Sequence, residues 1–175
     1  GGITYRRLDE EQGVFWPCPS EEHPGTPRLF AHRFFFPDGR ARFHVVHHRP
    51  AGEEPDAEFP LYFTTGRYKE HYNSGAQTRR DDKLTEAKPE PRLQMHPHLA
   101  ERLGAEDGGL VEVVSRRGHV TFRVSVNYEI RSDTLFAPFH WGGRAAANIL
   151  TNPALDPTSR MPEFKVCAVR ATALE

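Results

Sequence analysis

The chain carries no surplus of charge: 23 basic residues stand against 24 acidic ones, a formal net charge of -1. That balance excludes a bulk electrostatic grip on nucleic acid or on an anionic membrane, while leaving room for a local basic site that holds a phosphate. Cysteine is almost missing. Cys18 and Cys167 lie far apart in sequence and cannot make a four-thiolate iron–sulfur or zinc site. Two reduced thiols are expected, because a disulfide framework needs more pairs. No apolar stretch approaches the roughly 20 residues that a bilayer span requires. No signal-peptide pattern opens the chain, so a cytoplasmic location without a membrane span is expected. The first residues, Gly-Gly-Ile with no initiator Met, read as a boundary inside a longer protein.

Recognisable catalytic signatures are missing as well. There is no Walker loop, no Gly-x-Gly-x-x-Gly fingerprint, no His-Glu-x-x-His helix and no Gly-x-Ser-x-Gly elbow. The ten histidines include His44, His47 and His48, and His96 and His98 on either side of Pro97. Scattered and without cysteine pairs, they read as surface or hydrogen-bonded groups, and no metal ligand is assigned among them.

What is present falls into two textures. Residues 1–58 are punctuated by Pro17, Pro19, Pro24, Gly25, Pro27, Pro37, Gly39, Pro50, Gly52 and Pro55, without helical periodicity. They nevertheless hold Phe15, Trp16, Phe30, Phe34, Phe35, Phe36 and Phe43, more aromatics than disordered segments carry. An ordered but irregular strap is expected, with a tight turn at Asp38-Gly39 leading into a strand at Ala41–Val45. Pro50–Asp56 reads as a solvated linker.

Residues 59–175 read as mainly β with short helices. Strands are expected at Phe59–Thr64, Pro91–Met95, Leu110–Val114, His119–Val126, Thr134–Phe139 and Phe164–Val169. Ser115-Arg-Arg-Gly118 joins two of them as a hairpin whose glycine can take positive φ. Pro97–Leu103 forms a helix with Pro in its first turn and Gly104 as its stop. Together these features favour a compact β-barrel with small helices.

Three stretches could carry chemistry. Thr64–Arg80 runs from a strand through Gly66 and Gly75, with hydroxyls, an amide and cations between and after them, a composition that suits a phosphate. A polar surface loop has the same composition. Phe139-His140-Trp141-Gly142-Gly143, followed by Asn148, suits the lip of a cleft, with Asn148 able to meet a heteroaromatic edge. The plain alternative is a core Trp141 and a helix-ending Asn148. Lys165, alone among apolar neighbours, either faces solvent or reaches an anion or carbonyl.

In order, these stretches resemble one family. Thr65-Gly66-Arg67 … His71 … Ser74-Gly75 … Thr78-Arg79-Arg80 is similar to the first dinucleotide-contacting loop of the molybdopterin oxidoreductases, most like the nitrate reductase and formate dehydrogenase branch. Met95-His96-Pro97 … Leu103-Gly104 … Asp107-Gly108 … Ser115-Arg-Arg-Gly118 resembles the family's barrel centre. Asn148 … Leu150-Thr151 … Asp156-Pro157 … Pro162-Glu163-Phe164-Lys165 resembles its C-terminal signature. The resemblance implies a double-psi β-barrel of the aspartate-decarboxylase-like type at 59–175, preceded by a strap at 1–58 from the domain before it. It implies molybdopterin guanine dinucleotide as ligand, one of two that hold molybdenum. Its contacts would be Thr65, Gly66, Arg67, Tyr68, His71, Asn73, Ser74, Gly75, Thr78, His140, Asn148 and Lys165. The iron–sulfur cluster and the residue that ligates molybdenum belong to other domains of such enzymes, so this stretch has no catalytic residue and no turnover alone. Within the branch, Tyr72–Arg80 and Phe139–Trp141 look most like an assimilatory-type nitrate reductase, with formate dehydrogenase as the alternative. A stand-alone binding or assembly module without redox activity is the competing class.

Overall fold

The structure is a computed structural model that describes residues 1–174, which form two compact units, Gly1–His48 and a second that begins at Arg49. In the first unit, Tyr5–Glu11 form helix α1, where the sequence gives no periodicity. Thr4 caps it by accepting from Arg7 N, and left-handed Gln12 stops it. The organising group is polar. Buried Arg7 donates to the carbonyls of Gly2, Glu21 and His23 and pairs with Glu11. The turn at Asp38-Gly39 forms, with Gly39 N donating to Phe36 O, but no strand follows it. Phe15, Trp16, Phe35 and Phe43 stay exposed in this unit.

The second unit is a closed barrel of six strands: β1 (Leu61–Gly66), β2 (Arg92–Met95), β3 (Leu110–Ser115), β4 (Gly118–Val126), β5 (Thr134–Pro138) and β6 (Cys167–Leu174). The strand order is β1-β5-β2-β4-β3-β6. Neighbours β1 and β5 run parallel, as do β2 and β4, and each pair needs a crossover through other strands. This is the double-psi β-barrel. Alternation puts Leu61 and Phe63, Leu93 and Met95, Val111 and Val113, Val120, Phe122 and Val124, and Leu135 and Ala137 into one core. Helix α2 (Asp82–Ala87) is capped by Asp81 and has no buried residue. Helix α3 (Pro97–Leu103) has Pro at its start and left-handed Gly104 at its end, and buries Leu99 and Ala100.

Two local readings change. Gly118 is not a positive-φ residue; a side chain there would put Cβ 2.7 Å from Ile149 Cγ2, so close packing is what glycine serves. The segment read as a solvated linker is tied to the barrel. Glu53 takes both terminal nitrogens of Arg117 and accepts from Ala168 N at 2.6 Å, while Arg117 also donates to Leu150 O at 2.8 Å.

Both cysteines are free and buried. Burial pushes the Cys167 thiol up to about 11, against the pull of nearby Arg117. The thiolate is the reactive form, so native Cys167 should be inert at pH 8. Titration with an aromatic disulfide reagent is expected to find neither thiol until denaturant is added. Rapid labelling of Cys167 in the native state would show that the start of β6 opens.

Candidate functional site

Parallel pairing of β1 and β5 decides where the site lies. Their last register pair is Gly66 with Pro138, so both strands deliver their following residues to one end of the barrel. After β1 comes the loop 67–80; after β5 comes Phe139-His140-Trp141. Strand β6 runs antiparallel to β1, with Phe63 opposite Cys167, so the residues leading into β6 arrive at the same end. There Thr65 Oγ1 donates to Phe164 O at 3.2 Å, and Lys165 Nζ donates to Thr65 O at 2.6 Å. Two of the three candidate stretches therefore meet Lys165 at one rim.

The loop is fastened from inside by two buried histidines. His140 is fully buried; its Nε2 accepts from Tyr68 N at 2.8 Å, and its Nδ1 lies 2.5 Å from Asn73 O. An acceptor at Nε2 requires the proton on Nδ1, so the ring is neutral with a single tautomer. Burial pushes the His140 pKa down; the bond to Asn73 opposes this, and His71, Arg67 and Arg79 push it further down. His71 is also buried, with Nε2 2.8 Å from Lys88 O and Nδ1 3.1 Å from Thr78 Oγ1. The Thr78 hydroxyl accepts from Tyr72 N at 3.2 Å, which leaves its proton for His71. Arg79 closes the loop by donating to His140 O at 2.7 Å. Gly75 has φ +70, and a Cβ there would lie 3.1 Å from His140 O and 3.2 Å from Arg79 Nε, so this turn requires glycine.

Outside, the rim is cationic. The Arg67 guanidinium and Lys165 Nζ each stand 5.5 Å from the centroid of the Phe139 ring. Among the described residues neither has a carboxylate partner. Burial, then the charge of Arg67, lowers the Lys165 pKa. Two like charges gathered without a counter-charge, beside a loop with exposed Ser74 and glycine-turned backbone, match an anionic ligand. On these grounds the residues fit a pyrophosphate-bearing group.

The other predicted residues are placed as follows. Thr65 is buried at the end of β1. Tyr68 is half-buried, its hydroxyl between Arg92 N at 3.3 Å and Arg92 O at 3.4 Å, and burial raises its pKa. Beside it opens a polar cavity of about 310 Å³, with Lys88, Glu90, Gln94 and Ser125 in its wall. Asn73 takes φ +46 at the loop's turn. Asn148 is exposed in the 3-10 turn Ala147–Ile149, and no hydrogen bond among the described residues joins its side chain to the loop. Arg79 is the loop residue whose work was not read from sequence; its only signal is the cation pair Arg79-Arg80. Among the described residues no group of three or more His, Cys, Asp or Glu could hold a metal ion. No helix among them is long and apolar enough to cross a membrane.

Over 97% of its length the chain is 45% identical to the assimilatory nitrate reductase catalytic subunit of Bacillus subtilis (strain 168), of which it covers 24%. It is 42% identical, over 97% of its length, to the F420-dependent formate dehydrogenase subunit alpha of Methanocaldococcus jannaschii, covering 25% of that protein. The chain thus spans about a quarter of the length of these relatives. Among solved structures, acetylene hydratase from Pelobacter acetylenicus superposes with a TM-score of 0.58 at 18% identity, over 66% of this chain and 18% of that one, a likeness of fold. Residues 61–168 match the family described as molydopterin dinucleotide binding domain. That stretch takes in β1, the cationic loop, the Phe139 lip and Lys165, and the chain belongs to this family.

Proposed function

We propose that this chain is the cofactor-binding part of an assimilatory-type nitrate reductase, and that its rim holds one molybdopterin guanine dinucleotide of the pair around molybdenum. The observation that carries the binding role is the convergence of the 67–80 loop, the Phe139 lip and Lys165 at one barrel end, with Arg67 and Lys165 left without carboxylate partners among the described residues. Arg67 and Lys165 supply charge to the pyrophosphate, the backbone around Gly66 and Gly75 and the Ser74 hydroxyl supply donors, and exposed Asn148 offers an amide to a ring edge. Thr65 and Thr78 act by holding Lys165 and His71 in place. When bound, the molybdenum–pterin group supplies two-electron redox chemistry. This chain's residues bind and orient it and take no chemical step themselves.

The nitrate assignment is supported by the 45% identity to the nitrate reductase subunit. The 42% identity to a formate dehydrogenase subunit favours the same role in a formate enzyme as the second reading. Nitrate-dependent oxidation of reduced viologen by the natively isolated full-length polypeptide is the expected result. Reduction of oxidised viologen by formate, with no response to nitrate, would keep the binding role and overturn the reaction. A sample inactive in both arms and free of molybdenum and guanine nucleotide would favour a binding or assembly module.

A further inference from the structure

We infer that His140 is a positioning residue that fastens the 67–80 loop in its ligand-ready shape, rather than a group that touches the ligand. The inference rests on the loop being the dinucleotide contact proposed above, but its evidence is internal to the chain. Three features of one residue reach three points of the loop. Nε2 takes the amide proton of Tyr68 near its start, Nδ1 meets the carbonyl of Asn73 at its turn, and the backbone carbonyl takes Arg79 beyond the turn. The ring is fully buried, and both nitrogens are spent on backbone, so nothing is left to offer a ligand. Strand β5 ends two residues earlier at Pro138, in register with Gly66, so the clamp is set by the rigid barrel.

The clamp works in one protonation state. A second proton would convert Nε2 from acceptor to donor and set it against the Tyr68 N–H. The charged and titratable groups that face the ring are Arg67, Tyr68, His71 and Arg79, and among the described residues no carboxylate is one of the main groups that act on it. The folded state therefore holds the ring neutral, whereas an ordinary histidine binds a proton below about pH 6.5. Where the folded pKa is depressed, the unfolded or opened form takes up more protons, so stability of the clamp falls as pH drops below that value.

The test is amide hydrogen exchange on the full-length polypeptide, following peptides from residues 67–80 and from the barrel strands, with guanine nucleotide retention measured in parallel. His140→Phe keeps a ring and removes both ring bonds. Loop amides should exchange about ten- to a hundredfold faster, the loss expected for two buried hydrogen bonds, while β1 and β5 amides stay protected. His140→Gln retains an acceptor and a donor without a titrating proton and should exchange nearer to wild type. The wild-type loop should open further between pH 7 and 5.5 than intrinsic exchange rates account for, and His140→Gln should not. That pH comparison also stands if His140→Phe fails to fold. Unchanged loop exchange in His140→Phe, or an equal rise in loop and barrel, would overturn the positioning role. A loosened loop with unchanged nucleotide retention would leave the clamp standing and sink the dinucleotide reading of the loop.

Discussion

Glu53→Ala should destabilise the second unit by about 2–4 kcal/mol, a large effect for a residue outside every strand. The side chain is 13% exposed and faces Arg117, which is 23% exposed. Removing one member of a buried pair leaves the other charge without compensation and costs roughly 3–5 kcal/mol when burial is complete. Partial exposure lowers that figure, and Arg117 retains Leu150 O as a partner. Loss of the acceptor for Ala168 N adds to the cost. Burial pushes the Glu53 pKa up, but Arg117, the Ala168 amide and Arg116 outweigh it and hold the carboxyl below its ordinary range. A carboxylate shifted that way contributes stability above its unfolded pKa, near 4.3, and loses it as pH falls through the folded value. Urea denaturation at pH 7 should show the full loss in Glu53→Ala, and the difference from wild type should shrink toward pH 3. Replacing both partners with apolar residues, as in Glu53→Leu with Arg117→Met, should recover much of the stability. A single variant within about 0.5 kcal/mol of wild type would mean that the pair behaves like a surface salt bridge.

The sequence is most legible where the physics is local. Helix α3 carries its start and stop signals in Pro97 and Gly104 and occupies the expected residues, and the β3–β4 hairpin is set by alternation within a short window. Legibility declines where the deciding partner is remote. Strand β6 lies later than expected, because its second half, Arg170-Ala-Thr-Ala-Leu, alternates half-buried alanines with exposed residues and pairs with β3, which precedes it by about sixty residues. Helix α1 has no apolar stripe to announce it and is held through a buried arginine. The Glu53 contact could not be read from Pro50–Asp56, since its partner sits 64 residues on at Arg117.

The candidate site divides in the same way. The composition of residues 64–80 marks a phosphate-suited loop, but that composition alone equally describes a polar surface. The structure adds the parallel β1–β5 pair, a non-local contact that brings His140 to the loop and Phe139 beside both Arg67 and Lys165. His71 and His140 read from sequence as polar residues available to a ligand. Burial turns them inward, and the loop's backbone becomes their partner. The exposed set then reduces to cations, Asn73, Ser74, backbone and Asn148.

That reduced set gives the second large prediction, a loss of ligand grip when the two rim cations are removed. Hydrogen bonds to charged groups contribute roughly 1.5–3 kcal/mol each, and each 1.4 kcal/mol is tenfold in affinity. Arg67 and Lys165 are both exposed, so solvent screening favours the lower end. Arg67→Ala and Lys165→Ala should each speed release of guanine nucleotide from the full-length protein about tenfold. The double variant should lose less than the product of the two, because neighbouring cations acting on one anion are coupled. Lys165→Ala also frees Thr65 O from its 2.6 Å contact, whereas Arg67→Ala leaves that contact intact. Arg67→Ala is therefore the cleaner reading of charge alone. Its effect should weaken as salt rises, since screening already removes part of what the arginine supplies. Nucleotide release measured by dialysis at two salt concentrations decides the matter. Release rates that match wild type in both single variants and in the double would place the pyrophosphate elsewhere and leave the two cations as an unpaired charge cluster at the barrel's rim.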